Sequence, residues 1–168
     1  MGLITKMEEA SQSFQLEAVS IQTLLQSLRS DLEIPLQEKG ITLGWDISEK
    51  LIINGNRNLL YSIFRNLTDN VIRYAGNNVN IFISNYRKDA DFYYFSYSDT
   101  GVGIEEQHLN RIFERFYRIS EGRTRDTGGS GLGLSIVKNA ILFHKGSIAV
   151  KNRTGGGLEF LFKLKLEN

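Results

Sequence analysis

Apolar residues recur along this chain with two different periods, and the switches between them mark out its elements. Ile21, Leu24, Leu25, Leu28 and Leu32 stand three and four apart, which predicts an amphipathic helix with Ser20 as its N-cap. Residues 14–19 before it alternate apolar and polar, the pattern of a short strand. Pro35 is expected to kink or end the helix, Gly40 to punctuate it, and residues 41–47 to form a second strand. A second helical stripe, Leu60, Ile63, Leu67, Val71 and Tyr74, runs through residues 58–74. A third helix, over residues 131–143, turns Leu134, Val137, Ile141 and Leu142 inward.

Period-two segments fill the rest. Residues 79–87 and 92–98 read as a hairpin joined by Lys88-Asp89-Ala90-Asp91, so Asp99 stands where its second strand ends. Residues 147–151 and 158–166 are the last strands, turned at Arg153-Thr154-Gly155-Gly156-Gly157. The second of them puts Leu158, Phe160, Phe162, Leu164 and Leu166 on one face. A short helix is expected over 105–111, and a loop over 119–129, where apolar residues are few. Interspersed helices and hairpins predict an α/β two-layer sandwich, a mixed, largely antiparallel sheet covered on one face by about three helices.

Composition narrows the function. At 168 residues the chain has the size of one domain with a substantial core. A net charge of +1 gives no reason to invoke nucleic acid or a membrane surface. The absence of cysteine removes disulfides, thiolate nucleophiles and cysteine-ligated metals, which fits a cytosolic setting. No apolar run has the length of a membrane span, and the start MGLITKMEEASQSF is not a signal peptide. Asn66-Leu67-Thr68 and Asn152-Arg153-Thr154 are therefore read as chance matches to the glycosylation pattern.

The chemistry lies in four short patterns in fixed order. The first is Asn66-x-x-x-Asn70 followed by Arg73-Tyr74. Asn66, Asn70 and Arg73 fall within about 60° of one another on their helix, a column of two amides and a guanidinium beside the apolar stripe. An asparagine carbonyl suits a hard cation whose remaining ligands are phosphate oxygens and water. Arg73 can grip phosphate, and Tyr74 either packs beside a ligand or edges the core.

The second pattern is Asp99-x-Gly101-x-Gly103. A carboxylate only accepts hydrogen bonds, so at a strand end facing a pocket Asp99 matches the exocyclic amino group of adenine and opposes the carbonyl of guanine. Gly101 and Gly103 let backbone approach a flat base.

The third is Phe113-Glu114-Arg115-Phe116-Tyr117-Arg118, in which the two phenylalanines are expected to anchor the following loop in the core. Arg115, Arg123 and Arg125 are lid residues or solvated charges. The fourth is Gly129-x-Gly131-x-Gly133, opening an apolar helix whose N-terminal amides and dipole suit phosphate. No Gly-Lys-Ser/Thr follows, so it is not a P-loop, and Leu134 stands where a Rossmann fingerprint needs its third glycine.

As a set, these patterns resemble the N box, first glycine box, F box and second glycine box of the catalytic ATP-binding domain of sensor histidine kinases. The resemblance covers the chain from about Phe14 to its end and implies the Bergerat-type fold of the gyrase, chaperone, histidine kinase and mismatch-repair superfamily. It implies ATP and Mg²⁺ as cofactors, with Asn70 as the metal ligand. Asn70, Arg73, Tyr74, Asp99, Gly101 and Gly103 would bind the nucleotide, together with Gly129, Ser130, Gly131, Leu132, Gly133 and Leu134 of the second glycine box. Arg118 and Asn66 are its candidate catalytic residues. Arg118 would reach the terminal phosphate. Asn66 occupies the place where gyrase-type ATPases carry a water-activating glutamate, and an amide takes no proton at neutral pH.

The resemblance also implies partners. They are the dimerisation and phosphoacceptor domain of the same kinase and the receiver domain of a response regulator. The full-length protein would be a homodimeric inner-membrane sensor with this domain on the cytoplasmic side, and the isolated fragment a monomer. Residues 1–13 would be linker from a dimerisation helix, and 14–168 the catalytic domain. Neither His108 nor His144 lies in the long N-terminal helix that carries the family's phosphoacceptor. Asn56 where the family often has Asp, Val71 where it usually has Ala, and Arg73 where Lys is more frequent are the departures. An ATP sensor without phosphotransfer, an ATPase and an anti-sigma serine kinase share the fold and stay open as alternatives.

Overall fold

The computed structural model describes residues 15–119 and 131–166. Its elements run β1 (Glu17–Ser20), α1 (Ile21–Asp31), α2 (Glu33–Glu38), β2 (Thr42–Asp46), β3 (Ile52–Gly55), α3 (Arg57–Tyr74), β4 (Asn80–Lys88), β5 (Phe92–Asp99), α4 (Glu106–Leu109), α5 (Gly133–Phe143), β6 (Ser147–Asn152) and β7 (Leu158–Lys165). Five strands form the main sheet in the order β2-β4-β5-β7-β6. Only β2 and β4 pair in parallel; the other neighbours are antiparallel.

Strand alternation assigns each face of this sheet. Ile81 and Ile83 of β4, Phe95 and Tyr97 of β5, and Phe160, Phe162 and Leu164 of β7 are buried, while Phe82 between them is 49% exposed. The buried face receives the helical stripes: Ile21, Leu24, Leu25 and Leu28 of α1, Leu60, Ile63, Phe64 and Leu67 of α3, and Val137, Ala140 and Ile141 of α5. Phe162 is the hinge of this packing, stacked on Phe95 at 5.3 Å and meeting Phe64 of α3 at 5.9 Å. A hydroxyl pair between Thr68 and Tyr97, 2.7 Å apart and fully buried, pins α3 to β5 two residues before Asp99.

Ser20 caps α1 as the sequence predicts, and Asn56, just ahead of the helix expected from residue 58, caps α3. Ser20 accepts from the Thr23 amide at 3.3 Å, and Asn56 accepts from the Leu59 amide at 2.9 Å. Asn56 thus does the capping work that an aspartate would do.

Other expectations need correction. Strand β3 has no counterpart in the periodicity; it pairs antiparallel with β1, from Glu17↔Gly55 to Ser20↔Ile52, in a separate two-stranded sheet. Pro35 does not end α1, which stops at Asp31; it lies in the first turn of α2, where its missing N–H has no helical partner to lose. Leu142 points outward and is 53% exposed, because Ala140 and Ile141 take the inner face of α5. Among the described residues no helix is long and apolar enough to cross a membrane. The linker expected over residues 1–13, Phe14, and residues 120–130 lie outside the described residues.

Candidate nucleotide site

The C-terminal half of α3, from Asn66 to Tyr74, and the Asp99 end of β5 face a common space beside β7. A cavity of about 290 Å³ lies between them, near the low end of the roughly 300–1,000 Å³ typical of small-molecule sites. One wall is α3, through Asn66, Asp69, Asn70, Arg73 and Tyr74. The floor is Asp99 with Leu158 and Phe160 of β7. Val102, Gly103 and Ile104 form a second wall, and Ile112, Tyr117, Arg118 and Ile119 a third. Gly131, Gly133 and Leu134, at the start of α5, close the circuit.

Asp99 is the last residue of β5 and shares the inward parity of Phe95 and Tyr97. It is 4% exposed. Burial pushes its carboxyl up from the usual carboxylate range, opposed by the Gly101 and Leu158 amides and by the charge of Arg153. The Gly101 N–H donates to Asp99 Oδ1 at 2.7 Å. Gly101 itself does not line the cavity. It fits between elements: a Cβ there would lie 2.5 Å from the Ala75 Cβ and 2.9 Å from Asp99 Oδ1.

At the other end stand the α3 amides. Asn66 Nδ2 donates to the Ser62 carbonyl at 2.8 Å, which fixes its Oδ1 toward α5, where a Cβ on Gly133 would come within 3.3 Å. Asn70 Nδ2 is buried and has no hydrogen-bond partner among the described residues. Such an orphan is costly unless a ligand relieves it. The amide's oxygen and nitrogen exchange places by a half turn, so the same position can offer an acceptor to a cation or a donor to phosphate. Arg73 is exposed and Tyr74 is 44% exposed, both at the cavity rim.

The F-box segment divides. Phe113 packs edge-on against Phe160 at 6.1 Å, as an anchor should. Phe116 does not anchor: it is 63% exposed and adopts φ +64°. That left-handed turn directs its N–H to the Gly131 carbonyl at 2.8 Å and throws its ring outward. Gly131 matches it with φ +77°, and a Cβ there would sit 2.8 Å from the Phe116 Cα. Arg118 lines the cavity, with Tyr117 beside it held by a hydrogen bond to His108. Leu132 is the α5 N-cap residue; its carbonyl accepts from the Ser135 hydroxyl, and it does not line the cavity. Gly129 and Ser130 lie outside the described residues, as do Arg123, Arg125 and most of the loop expected to form a lid.

Three neighbours of the site went unnoticed in the sequence. Asp69 lines the cavity between the two amides, and no motif marks it. Asn152, at the end of β6, reaches Ile104 with both polar atoms of its side chain. Gly157 packs under Asp99 so closely that a Cβ would overlap the Asp99 carbonyl. The run of three glycines was a signal for Gly157; Asn152 had none.

An inward carboxylate on an apolar floor, facing a column of amides and a helix start, defines an ATP-binding α/β sandwich. Residues 55–168 match the family of histidine kinase-, DNA gyrase B- and HSP90-like ATPases, and the chain belongs to it. The phosphate regulon sensor protein PhoR of Pseudomonas aeruginosa is 31% identical over 158 residues, covering 94% of this chain and 35% of PhoR. The sensor histidine kinase RppB of Synechocystis is 36% identical over 149 residues, covering 84% of this chain and 32% of RppB. The chain thus spans about a third of the length of these curated relatives. Among solved structures, the nucleotide-free catalytic domain of histidine kinase ThkA superposes with a TM-score of 0.78 at 24% identity, over 91% of this chain and 97% of that one. Full-length ShkA in complex with AMPPNP gives 0.75 at 28% identity, over 90% of this chain and 31% of ShkA.

Proposed function

We propose that this domain binds Mg-ATP and presents the γ-phosphate to a histidine on the kinase's dimerisation domain, from which a response regulator is charged. One observation carries the reading: a single cavity joins a buried acceptor, Asp99, to the Asn66, Asn70 and Arg73 column and the opening of α5. In this reading adenine lies on Leu158 and Phe160 with its amino group on Asp99. The phosphates extend toward Arg73, Arg118, Gly131 and Gly133. The Asn70 carbonyl would hold magnesium, which when bound neutralises phosphate charge. The relatives' names, and the structure of ThkA in complex with its response regulator TrrA, support the partner assignment. The domain would lie on the cytoplasmic side of a homodimeric membrane sensor.

Catalysis here is positioning and charge neutralisation. Asn66, at the place of the water-activating glutamate of gyrase-type ATPases, is an amide whose nitrogen is committed to the Ser62 carbonyl and takes no proton from water, so hydrolysis should be slow. The test is incubation with γ-labelled ATP, with and without a separately supplied dimerisation domain. Acid-labile label should appear only on the added domain. Label on this chain alone, or rapid ATP turnover lost in N66A, would overturn the reading.

A further inference from the structure

The loop after β5 hangs on one side chain. Asn152 Oδ1 accepts from the Ile104 N–H at 3.0 Å, and Asn152 Nδ2 donates to the Ile104 carbonyl at 2.6 Å. The two bonds reproduce, from a side chain, the reciprocal pair of an antiparallel bridge. Both backbone groups of Ile104 are thereby tied to the end of β6, 48 residues away. Gly103 is threaded beneath this clamp. Its φ is +68°, and a Cβ would fall 2.7 Å from Asn152 Oδ1 and 3.3 Å from the Gly157 carbonyl.

The same turn also grips Asp99. The Arg153 amide donates to the Gly157 carbonyl at 2.8 Å, and the Gly156 amide to the Arg153 carbonyl at 3.0 Å, so the turn from Asn152 to Leu158 is knit internally. At its far end Gly157 packs directly under the Asp99 backbone, where a Cβ would overlap the Asp99 carbonyl, and the neighbouring Leu158 amide favours the charged form of the Asp99 carboxyl. One turn therefore fixes both sides of the cavity's base end: the Asp99 backbone through Gly157, and the Val102–Ile104 wall through Asn152.

We propose that Asn152 is a specificity-determining positioning residue for the base. Acting through the Ile104 backbone, it sets the distance between the Val102–Ile104 wall and Asp99, and so sets how strictly a 6-amino purine is preferred to a 6-oxo purine. The inference rests on the ATP reading above. With the clamp, a guanine cannot slide away from the opposing carboxylate. Without it, the wall recedes and the guanine carbonyl escapes contact. Asn152 is itself exposed and does not line the cavity; its two contacts with the lining, the Ile104 backbone and its strand partner Leu158, both lie at the base end, so its removal should act there.

The experiment is titration calorimetry of ATP, ADP and GTP, each with Mg²⁺, on the wild-type chain, N152A and N152D. Melting curves confirm folding, and hydrogen exchange reads the Ile104 amide. In N152A the Ile104 amide should exchange faster. Its ATP and ADP affinities should fall together by about fivefold, the worth of a pair of exposed hydrogen bonds. The ATP-to-GTP ratio should fall and the ATP-to-ADP ratio hold. N152D keeps the acceptor but sets an oxygen against the Ile104 carbonyl, so it should lose at least as much selectivity. A folded variant of either kind that keeps the wild-type ATP-to-GTP ratio would overturn the inference while leaving the ATP reading intact. A wild-type chain with no adenine preference would overturn both.

Discussion

The two ends of the cavity are built differently. The end proposed to take the base is over-determined: Asp99 receives the Gly101 amide, Gly101 and Gly157 fit where a Cβ would collide, and Asn152 holds the opposite wall. The phosphate end is open in its bonding. Asn70 has a buried nitrogen with no partner among the described residues, Arg73 is exposed, and the wall at Phe116 turns through a left-handed residue. A flat base is recognised by shape and a few donors, which a rigid slot provides. A triphosphate with its cation brings its own charge and its own ligands, so its end of the site can stay incomplete until occupied. The base end should therefore fail by distortion, and the phosphate end by loss of ligand.

The harshest way to break this contrast is Gly157→Ala. The residue has φ +94°, and its new Cβ would overlap the Asp99 carbonyl. Left-handed strain and overpacking together should cost about 3 kcal/mol of stability and abolish nucleotide binding. Urea unfolding of the two proteins measures the first and calorimetry the second. Wild-type stability would mean the turn yields freely and the base end is not rigid.

Asp99→Asn separates stability from binding. Losing a charged hydrogen bond to the base should weaken ATP by about 2 kcal/mol. Stability should move the other way. A carboxyl whose folded pKa lies above its unfolded value favours folding most at low pH, where it is protonated, and that contribution is lost as pH rises through the folded pKa. At neutral pH the buried charge thus opposes folding, and the amide should raise the melting temperature. The gain should shrink as pH falls through the raised folded pKa and be smallest below about pH 4, the ordinary carboxylate value. A variant that melts lower at pH 7 would show that the carboxylate is held for structure.

Asn70→Ala probes the other end. Since Nδ2 has no partner to lose among the described residues, the free domain should keep its stability within about 1 kcal/mol. Mg-ATP should weaken about tenfold, while ATP binding in excess chelator barely changes. Equal losses with and without Mg²⁺ would assign Asn70 to the nucleotide rather than to the cation.

How much of this was legible in the sequence follows from range. The stripes of α1, α3 and α5, and the alternation of β7, are local periods, and they gave the sandwich. Asp99 and the α3 amides were legible because one strand end and one helix face place them. Strand β3 was not: four residues carry no usable period, and only pairing with β1 makes them a strand. The outward Phe116 follows from a backbone bond to Gly131, and the Asn152 clamp from strand order in the sheet. Both are contacts between segments far apart in sequence, invisible to any window of neighbours.

The smallest effect concerns how the phosphate end is held from behind. His144, fully buried at the C-terminus of α5, accepts the Asn56 N–H on Nε2 at 3.0 Å. Its Nδ1 faces the Ala140 carbonyl at 2.7 Å, which fixes the proton on Nδ1. It thus joins the far end of the phosphate helix to the start of the helix carrying Asn66 and Asn70. Burial lowers its pKa, and a second proton would break the bond to Asn56. For a group with a depressed folded pKa, stability is complete above the unfolded value, about 6.5 for histidine, and is lost as pH falls toward the folded one. One such group changes stability by at most about 1.4 kcal/mol per pH unit. Denaturation between pH 7.5 and 5.5 should therefore show a shallow loss that a His144→Gln variant lacks, since a glutamine oxygen can accept the same N–H without titrating. Base selectivity should stay constant across that range, because nothing at the base end leans on His144. A selectivity that drifted with the histidine titration would show that the two ends are coupled through α3 rather than built apart.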